Sequence, residues 1–222
     1  RILPNASGTP QPTRSLRDFA AYIPKSLGYP DSRTNFTELN RLGITWNSRG
    51  DTFDFSYVRE TTAQQALADV FGTGFAELTI DRGQITPVRD EPRTVFEQMY
   101  SPQNMVGHLR RTPRLIANPD EFDGVEVTFT NASTWTEDVV SCRLPGDQGL
   151  KVEKITAVGV TDKNRAYRIG MRHRRVQRYR PDTFSWSTEA DAIVSRYLSY
   201  CAVADDTSGY PQSALMLSFE LM

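Results

Sequence analysis

The chain has 222 residues, 38% of them hydrophobic and 10% aromatic, with 26 Lys and Arg against 27 Asp and Glu. Those totals suit a soluble globular protein of one large or two small domains. No window approaches 18 apolar residues, which excludes a membrane-spanning helix. A formal net charge of -1 argues against a uniformly basic domain. The 14 Gly and 13 Pro imply many turns and short elements. Residues 1–15 lack an apolar stretch of signal-peptide type, and the chain does not start with Met. We read it as a piece of a longer polypeptide.

Residues 1–35 are rich in Pro, Ser, Thr and Gly and are expected to form a lead-in, with a short helical candidate at 15–22. Residues 36–42 suggest one or two helical turns that Gly43 stops. Residues 52–58 alternate, with Phe53, Phe55 and Tyr57 on one face, which predicts a strand. Thr61 or Thr62 then caps a helix over 63–70 with Ala66, Leu67 and Val70 buried. Residues 75–80 and 84–88 predict a hairpin turning at Asp81-Arg82-Gly83. Together, 36–92 read as a small α+β domain. Residues 93–222 read as a β-rich, barrel-like domain, giving an α+β, β-rich chain overall.

Within 94–111 the pattern is ambiguous around a turn at Ser101-Pro102-Gln103-Asn104, and from about Arg114 it is β. Val125, Val127 and Phe129 alternate with polar neighbours in a first strand. Residues 139–144 and 151–160 predict two more, with a turn at Pro145-Gly146-Asp147. Next comes GVTDKNRAYRIGMRHRRVQRYRPDTFSW, residues 159–186. Thr161 or Asp162 caps a helix over 162–180 that breaks at Pro181. Lys163 to Arg180 contains eight basic residues and no acid. The apolar stripe is narrow: Ala166, Ile169, Gly170, His173, Val176 and Gln177. Arg165, Arg168, Arg172 and Arg175 form a basic ridge beside it. Residues 183–188 alternate as a strand with Phe184 and Trp186 on one face. Residues 192–200 are helical or extended, Ser208-Gly209-Tyr210-Pro211 is a turn, and 214–221 is a last strand.

Catalytic chemistry is thinly supplied. His108 and His173 are the two histidines. His173 sits among arginines and suits neither a metal ligand nor a base oriented by a carboxylate. No G-x-S-x-G elbow, dinucleotide fingerprint or phosphate loop is present. No metal or cofactor site is expected. Asp120, Glu121 and Asp123 fall far short of a calcium loop. Asp205 and Asp206 are the one carboxylate pair worth testing for a cell-envelope glycan hydrolase. Neighbours on an extended segment point to opposite faces, which argues against their sharing a substrate. Cys142 and Cys201 lie beside apolar runs and read as buried thiols, with a disulfide still open.

The basic helix has three readings. It is a solvated face, a nucleic-acid face, or an intersubunit face whose arginines pair with a neighbour's carboxylates.

The wording AVGVTDKNRAYRIGMRHRRVQRYRPDTFSWSTEADA, followed by SRYLSYCAVADDTSGYPQSA, resembles the central region of the phage tail tip attachment protein J (host specificity protein J) family. The earlier segments LNRLGITWNSRGDTFDF, GFAELTIDRGQITPVRDEPRTVFEQMYSPQNM and DEFDGVEVTFTNASTW run in the same order. The resemblance covers about 39–214 and rests on collinear segments rather than one sharp motif. It implies a structural, non-enzymatic tail tip or baseplate hub component of the virion, assembled in the bacterial cytoplasm. It also implies self-association as a trimer, contacts with other phage tail proteins, and a host receptor met through regions outside this segment. Phage DNA would pass transiently through the ring. Arg165, Arg168, Arg172 and Arg175 would then meet a neighbour's acids or line the channel.

Overall fold

A computed structural model describes residues 2–4, 10–113, 122–180, 182–189, 194–204 and 212–218. In chain order the elements are β1 (Ile2–Pro4), β2 (Pro10–Pro12), α1 (Leu16–Ser26), α2 (Phe36–Arg49), α3 (Ala63–Thr73), β3 (Ala76–Asp81), β4 (Gln84–Arg89), β5 (Gln98–Tyr100), β6 (Met105–Pro113), β7 (Gly124–Thr130), β8 (Glu137–Cys142), β9 (Val152–Thr156), α4 (Lys163–Tyr179), β10 (Asp182–Thr188), β11 (Tyr200–Val203) and β12 (Gln212–Leu215). This is a mixed α+β fold. Its sheets are open ladders of two or three strands, and among the described residues none closes into a barrel.

The chain divides into two compact units, each built from two stretches of sequence. One comprises Arg1–Pro87 with Ala117–Arg180, the other Val88–Ile116 with Pro181–Met222. These boundaries fall elsewhere than the expected divisions after 35 and 92. Hydrophobic pattern reports each element's period but not which distant element covers it. The basic segment 159–186 is itself divided, its helix in one unit and its strand in the other.

In the first unit, α1, α2 and α3 enclose a core of Leu16, Phe19, Leu39, Leu42, Trp46, Phe53, Leu67, Val70 and Phe71. The predicted lead-in therefore contributes a core helix. Gly43 does not stop α2. The apolar stripe continues through Leu42 to Trp46, and the helix ends at Gly50, whose φ of 68° makes it the left-handed cap. A Cβ on Gly43 would sit 3.0 Å from Arg17 Cγ, so glycine lets that side chain lie close. Trp46 Nε1 donates to the Gly74 carbonyl at 2.9 Å. A Cβ at Gly74 would fall 2.2 Å from that nitrogen, so the position has room only for glycine.

Thr62 caps α3, its side chain accepting from Gln65 N. The β3–β4 hairpin turns through Arg82 and Gly83, both at positive φ, as a two-residue turn with right-handed strand twist requires. Residues 52–58 are not a strand. Thr52 bridges to Ser15, and the Phe53 and Asp54 amides donate to the Arg14 and Gly159 carbonyls, two different stretches of chain, so no continuous ladder forms. The alternation still places the rings together: Phe53 and Phe55 are 6.2 Å apart, Phe55 and Tyr57 4.8 Å.

A three-stranded sheet of order β8-β7-β9 completes this unit, β7 pairing antiparallel with β8 and parallel with β9. Val125, Val127 and Phe129 are buried with Val140, Cys142, Val160 and Ala166, the last from α4. Gly170 sets how closely α4 approaches: a Cβ there would lie 2.4 Å from Cys142 Sγ and 2.5 Å from Val127 Cγ2.

In the second unit, β6 and β10 form an antiparallel ribbon. β11 pairs antiparallel with β12 and parallel with β5. Tyr100, Cys201 and Met216 form its buried hydrophobic cluster, with Trp186 packed 4.9 Å from the Tyr100 ring. Tyr100 Oη and Ser195 Oγ lie 2.5 Å apart, and Ser199 donates to Glu97 at 2.7 Å. The expected strand 214–221 is seen as Gln212–Leu215.

Candidate functional site

Asp162 begins α4. Its Oδ1 accepts from the Arg165 amide at 2.8 Å, and its charge suits the positive end of the helix dipole. The ridge named from sequence is not uniform. Arg165 is buried, Arg168 and Arg172 are half-buried, and Arg175 is exposed.

Arg165 reaches inward. Its Nη1 donates to the Thr52 carbonyl at 2.5 Å and to Thr52 Oγ1 at 3.1 Å, and its Nη2 to the Thr73 carbonyl at 3.5 Å. It ties α4 to the helical layer rather than to solvent. Beside it lies Asp51, 3% exposed. Three guanidinium groups converge on this carboxylate: Arg168 Nη2 at 3.2 Å, Arg49 Nε at 3.4 Å and Arg165 Nε at 3.6 Å. The Arg168 contact is a hydrogen bond. Arg165 Nε and Asp51 Oδ2 are buried without a hydrogen-bond partner among the described residues. Burial pulls the Arg165 guanidinium down from its usual range, Asp51 opposes this, and Arg168 adds to it. Arg49 and Arg172 also lie over the Phe75 ring, at 5.4 and 5.6 Å from its centre.

A second pair stands next to this cluster. Arg14 grips Asp54 with two donors at 2.6 and 2.5 Å, and Thr161 Oγ1 donates to the same carboxylate at 2.9 Å. Burial raises the Asp54 carboxyl, but these hydrogen bonds and the fields of Arg14 and Arg165 outweigh it and hold Asp54 below the ordinary range. Between the groups is a depression of about 500 Å³ lined by Arg14, Arg49, Arg165, Arg168, Thr161 and Ala132, among others.

About two and a half turns beyond Arg165 on α4 the arrangement is different. Arg174, 3% exposed, lies on the buried face with Ala166, Gly170 and Gln177. It makes a two-point contact with Asp147, at 2.8 and 2.7 Å, and donates to the Phe122 carbonyl at 2.8 Å. The Arg174 hydrogen bond holds Asp147 below the usual carboxylate range, with the Leu144 amide adding to it. This residue was missed by placing His173 on the stripe. Ala166, Gly170, Arg174 and Gln177 are spaced as one helical face, but it is Asp147 and Phe122 lying across from it that allow an arginine to be buried there.

His173 does face a carboxylate: Nε2 is 2.8 Å from Glu153 Oε2, which Gln177 also contacts. The expectation that it lacks such an orienter is corrected, because β9 brings Glu153 alongside α4. Cys142 and Cys201 are free and buried, and burial pushes the Cys142 thiol up to about 11. Asp123 is held below the usual range by the Leu150 and Lys151 amides. Asp120, Glu121, Asp205, Asp206 and Pro181 lie outside the described residues. Among the described residues, no group of three or more His, Cys, Asp or Glu could hold a metal ion, and no helix is long and apolar enough to cross a membrane.

No protein-family model and no curated protein matches the chain. Solved structures do. The tail protein from Neisseria meningitidis MC58 superposes with a TM-score of 0.56 at 9% identity, covering 80% of this chain and 59% of that one. The 43 kDa tail protein of prophage MuSo2 from Shewanella oneidensis gives a TM-score of 0.48 at 12% identity, over 92% and 58%. This chain thus spans less than two thirds of either protein. At such identity the first likeness is one of fold, and the second is too loose to carry weight.

Proposed function

We propose that the chain is a structural component of a phage or prophage tail, belonging to the tail tip hub that links the tail tube to the host-recognition region. The observation that carries this reading is the shared fold with the Neisseria tail protein, over four fifths of this chain. Fold alone does not fix function. The collinear resemblance to the host specificity protein J family points the same way independently. In this reading the protein works by assembly, not catalysis, as a trimer around the tail axis in the virion, bound to other tail proteins. DNA delivery and receptor contact belong to the assembled tip.

The arginines divide their work accordingly. Arg165 holds α4 to its own unit. Arg168, Arg172 and Arg175 remain accessible to a neighbour's acids or to the channel. Immunogold labelling of purified tail particles should place the protein at the distal end. Particles that carry no label there overturn the tail tip reading. Complementation with the Arg168→Glu/Arg175→Glu pair should abolish complete tails, and normal tails would remove the interface role from these residues.

A further inference from the structure

Asp51 is a single buried carboxylate with three guanidinium groups within 3.6 Å. Like charges crowded in a medium of reduced dielectric repel one another strongly. Asp51 neutralises one of them, Asp162, which lines the depression, offsets a second, and Asp54 is taken up by Arg14, so one positive charge is left in excess. Arg165 is further satisfied by the Thr52 and Thr73 carbonyls. Arg49 and Arg168 keep 37% and 39% of their side chains open to solvent, at the mouth of the 500 Å³ depression. The site is therefore under-compensated, and the excess positive charge faces outward.

The rim supplies a second observation. Ala132 lines the depression and belongs to the turn between β7 and β8. That turn is firmly held: Ala132 N donates to the Thr161 carbonyl, Trp135 N to the Asn131 carbonyl, and Ser133 N to Asn131 Oδ1. It presents Trp135 at 76% exposure, with a φ of 55° that a non-glycine residue adopts only under constraint. An exposed Trp on the turn whose Ala132 lines a depression walled by arginines has the composition of a protein-binding hot spot.

We propose that this depression, with Arg49 and Arg168 at its mouth and the Trp135 turn on its rim, is a docking site for a carboxylate presented by an acidic segment of a neighbouring protein chain. The guanidinium groups converge on a point rather than spacing along a track, which fits one carboxylate better than a phosphate backbone. The inference deepens the assembly reading and rests on it only for the partner's setting. The site itself stands on the geometry.

The test uses the isolated chain and a fluorescein-labelled oligo-glutamate peptide, followed by anisotropy at fixed ionic strength. Arg168→Gln and Arg49→Gln should each weaken binding about tenfold, the loss of a charge-assisted contact. Trp135→Ala tests the rim with a peptide carrying one Leu beside its glutamates, and should weaken it about fivefold. Arg178→Gln removes an exposed charge of the same helix outside the depression and should change binding less than about twofold. Equal losses for Arg178→Gln and Arg168→Gln would mean diffuse charge attraction and overturn the site. So would tighter binding of a short DNA duplex than of the peptide, or no peptide binding at all. If Arg49→Gln fails to fold, the half-exposed Arg168→Gln carries the test. Tail assembly can fail in particles while this titration succeeds, and the reverse, so the two readings stay separable.

Discussion

The two buried arginines of α4 lie nine residues apart and solve the same problem differently. Arg174 meets one carboxylate, Asp147, with two donors and adds a carbonyl, so its charge is matched within the chain. Arg165 shares Asp51 with Arg49 and Arg168, and its Nε has no hydrogen-bond partner among the described residues. A buried ion pair is retained with least strain when geometry is two-pronged and remaining donors are satisfied. The Arg174 end meets that condition and is structural. The Arg165 end does not, and its surplus charge is what a partner would complete.

The largest expected effect sharpens the matched end. Asp147→Ala strands Arg174 in the interior and should destabilise by about 3–5 kcal/mol in urea unfolding. A loss below about 1 kcal/mol would show that solvent reaches the pair. Gly170→Ala comes next. Helix propensity favours Ala by about 1 kcal/mol. The added methyl would nevertheless fall 2.4 Å from Cys142 Sγ, so the net should be a loss of about 1–3 kcal/mol. A stabilised variant would mean that α4 can shift away from β7 and β8.

Acid should act through both ends. Asp54 and Asp147 have depressed folded values, so their contribution is fully present above the unfolded carboxylate value of about 3.9 and is lost as pH falls through the lower folded values. The melting temperature should hold down to about pH 5 and drop below about pH 4. Asp147→Asn should flatten that drop, and an unchanged acid limb would remove Asp147 from it. The smallest effect tests the unmatched end. Arg168→Gln should change stability by less than about 1 kcal/mol, because Arg168 is 39% exposed and Asp51 keeps two other partners. A large loss would make Arg168 as structural as Arg174.

Much of the local structure was legible. The helix starts at 61–62 and 161–162, where Thr62 and Asp162 prove to be the caps, the hairpin turn expected at 81–83, which closes through Arg82 and Gly83, and the alternation of Val125, Val127 and Phe129 are short-range signals that the structure bears out. Gly43 misled because a glycine inside a helix and one that ends it look alike until the neighbouring helix is known. Residues 52–58 misled because alternation places side chains on one face whether or not a partner strand exists. Nothing near Asp51, Arg49 or Arg14 in the sequence marks them as partners of α4 or of its flanking turn.

By itself, the sequence determined that a long, capped, acid-free helix would follow three strands, and that the fold would mix α with β. Periodicity, capping and turn chemistry act over a few residues and need no tertiary context. Only the tertiary structure decided which arginines of that helix are inside. Arg165 is satisfied by Thr52 and Thr73, about ninety or more positions away in the chain, and Arg174 by Asp147 and Phe122. Burial of a charge depends on what lies across from it, and chain-distant partners leave no mark in the helix's own spacing.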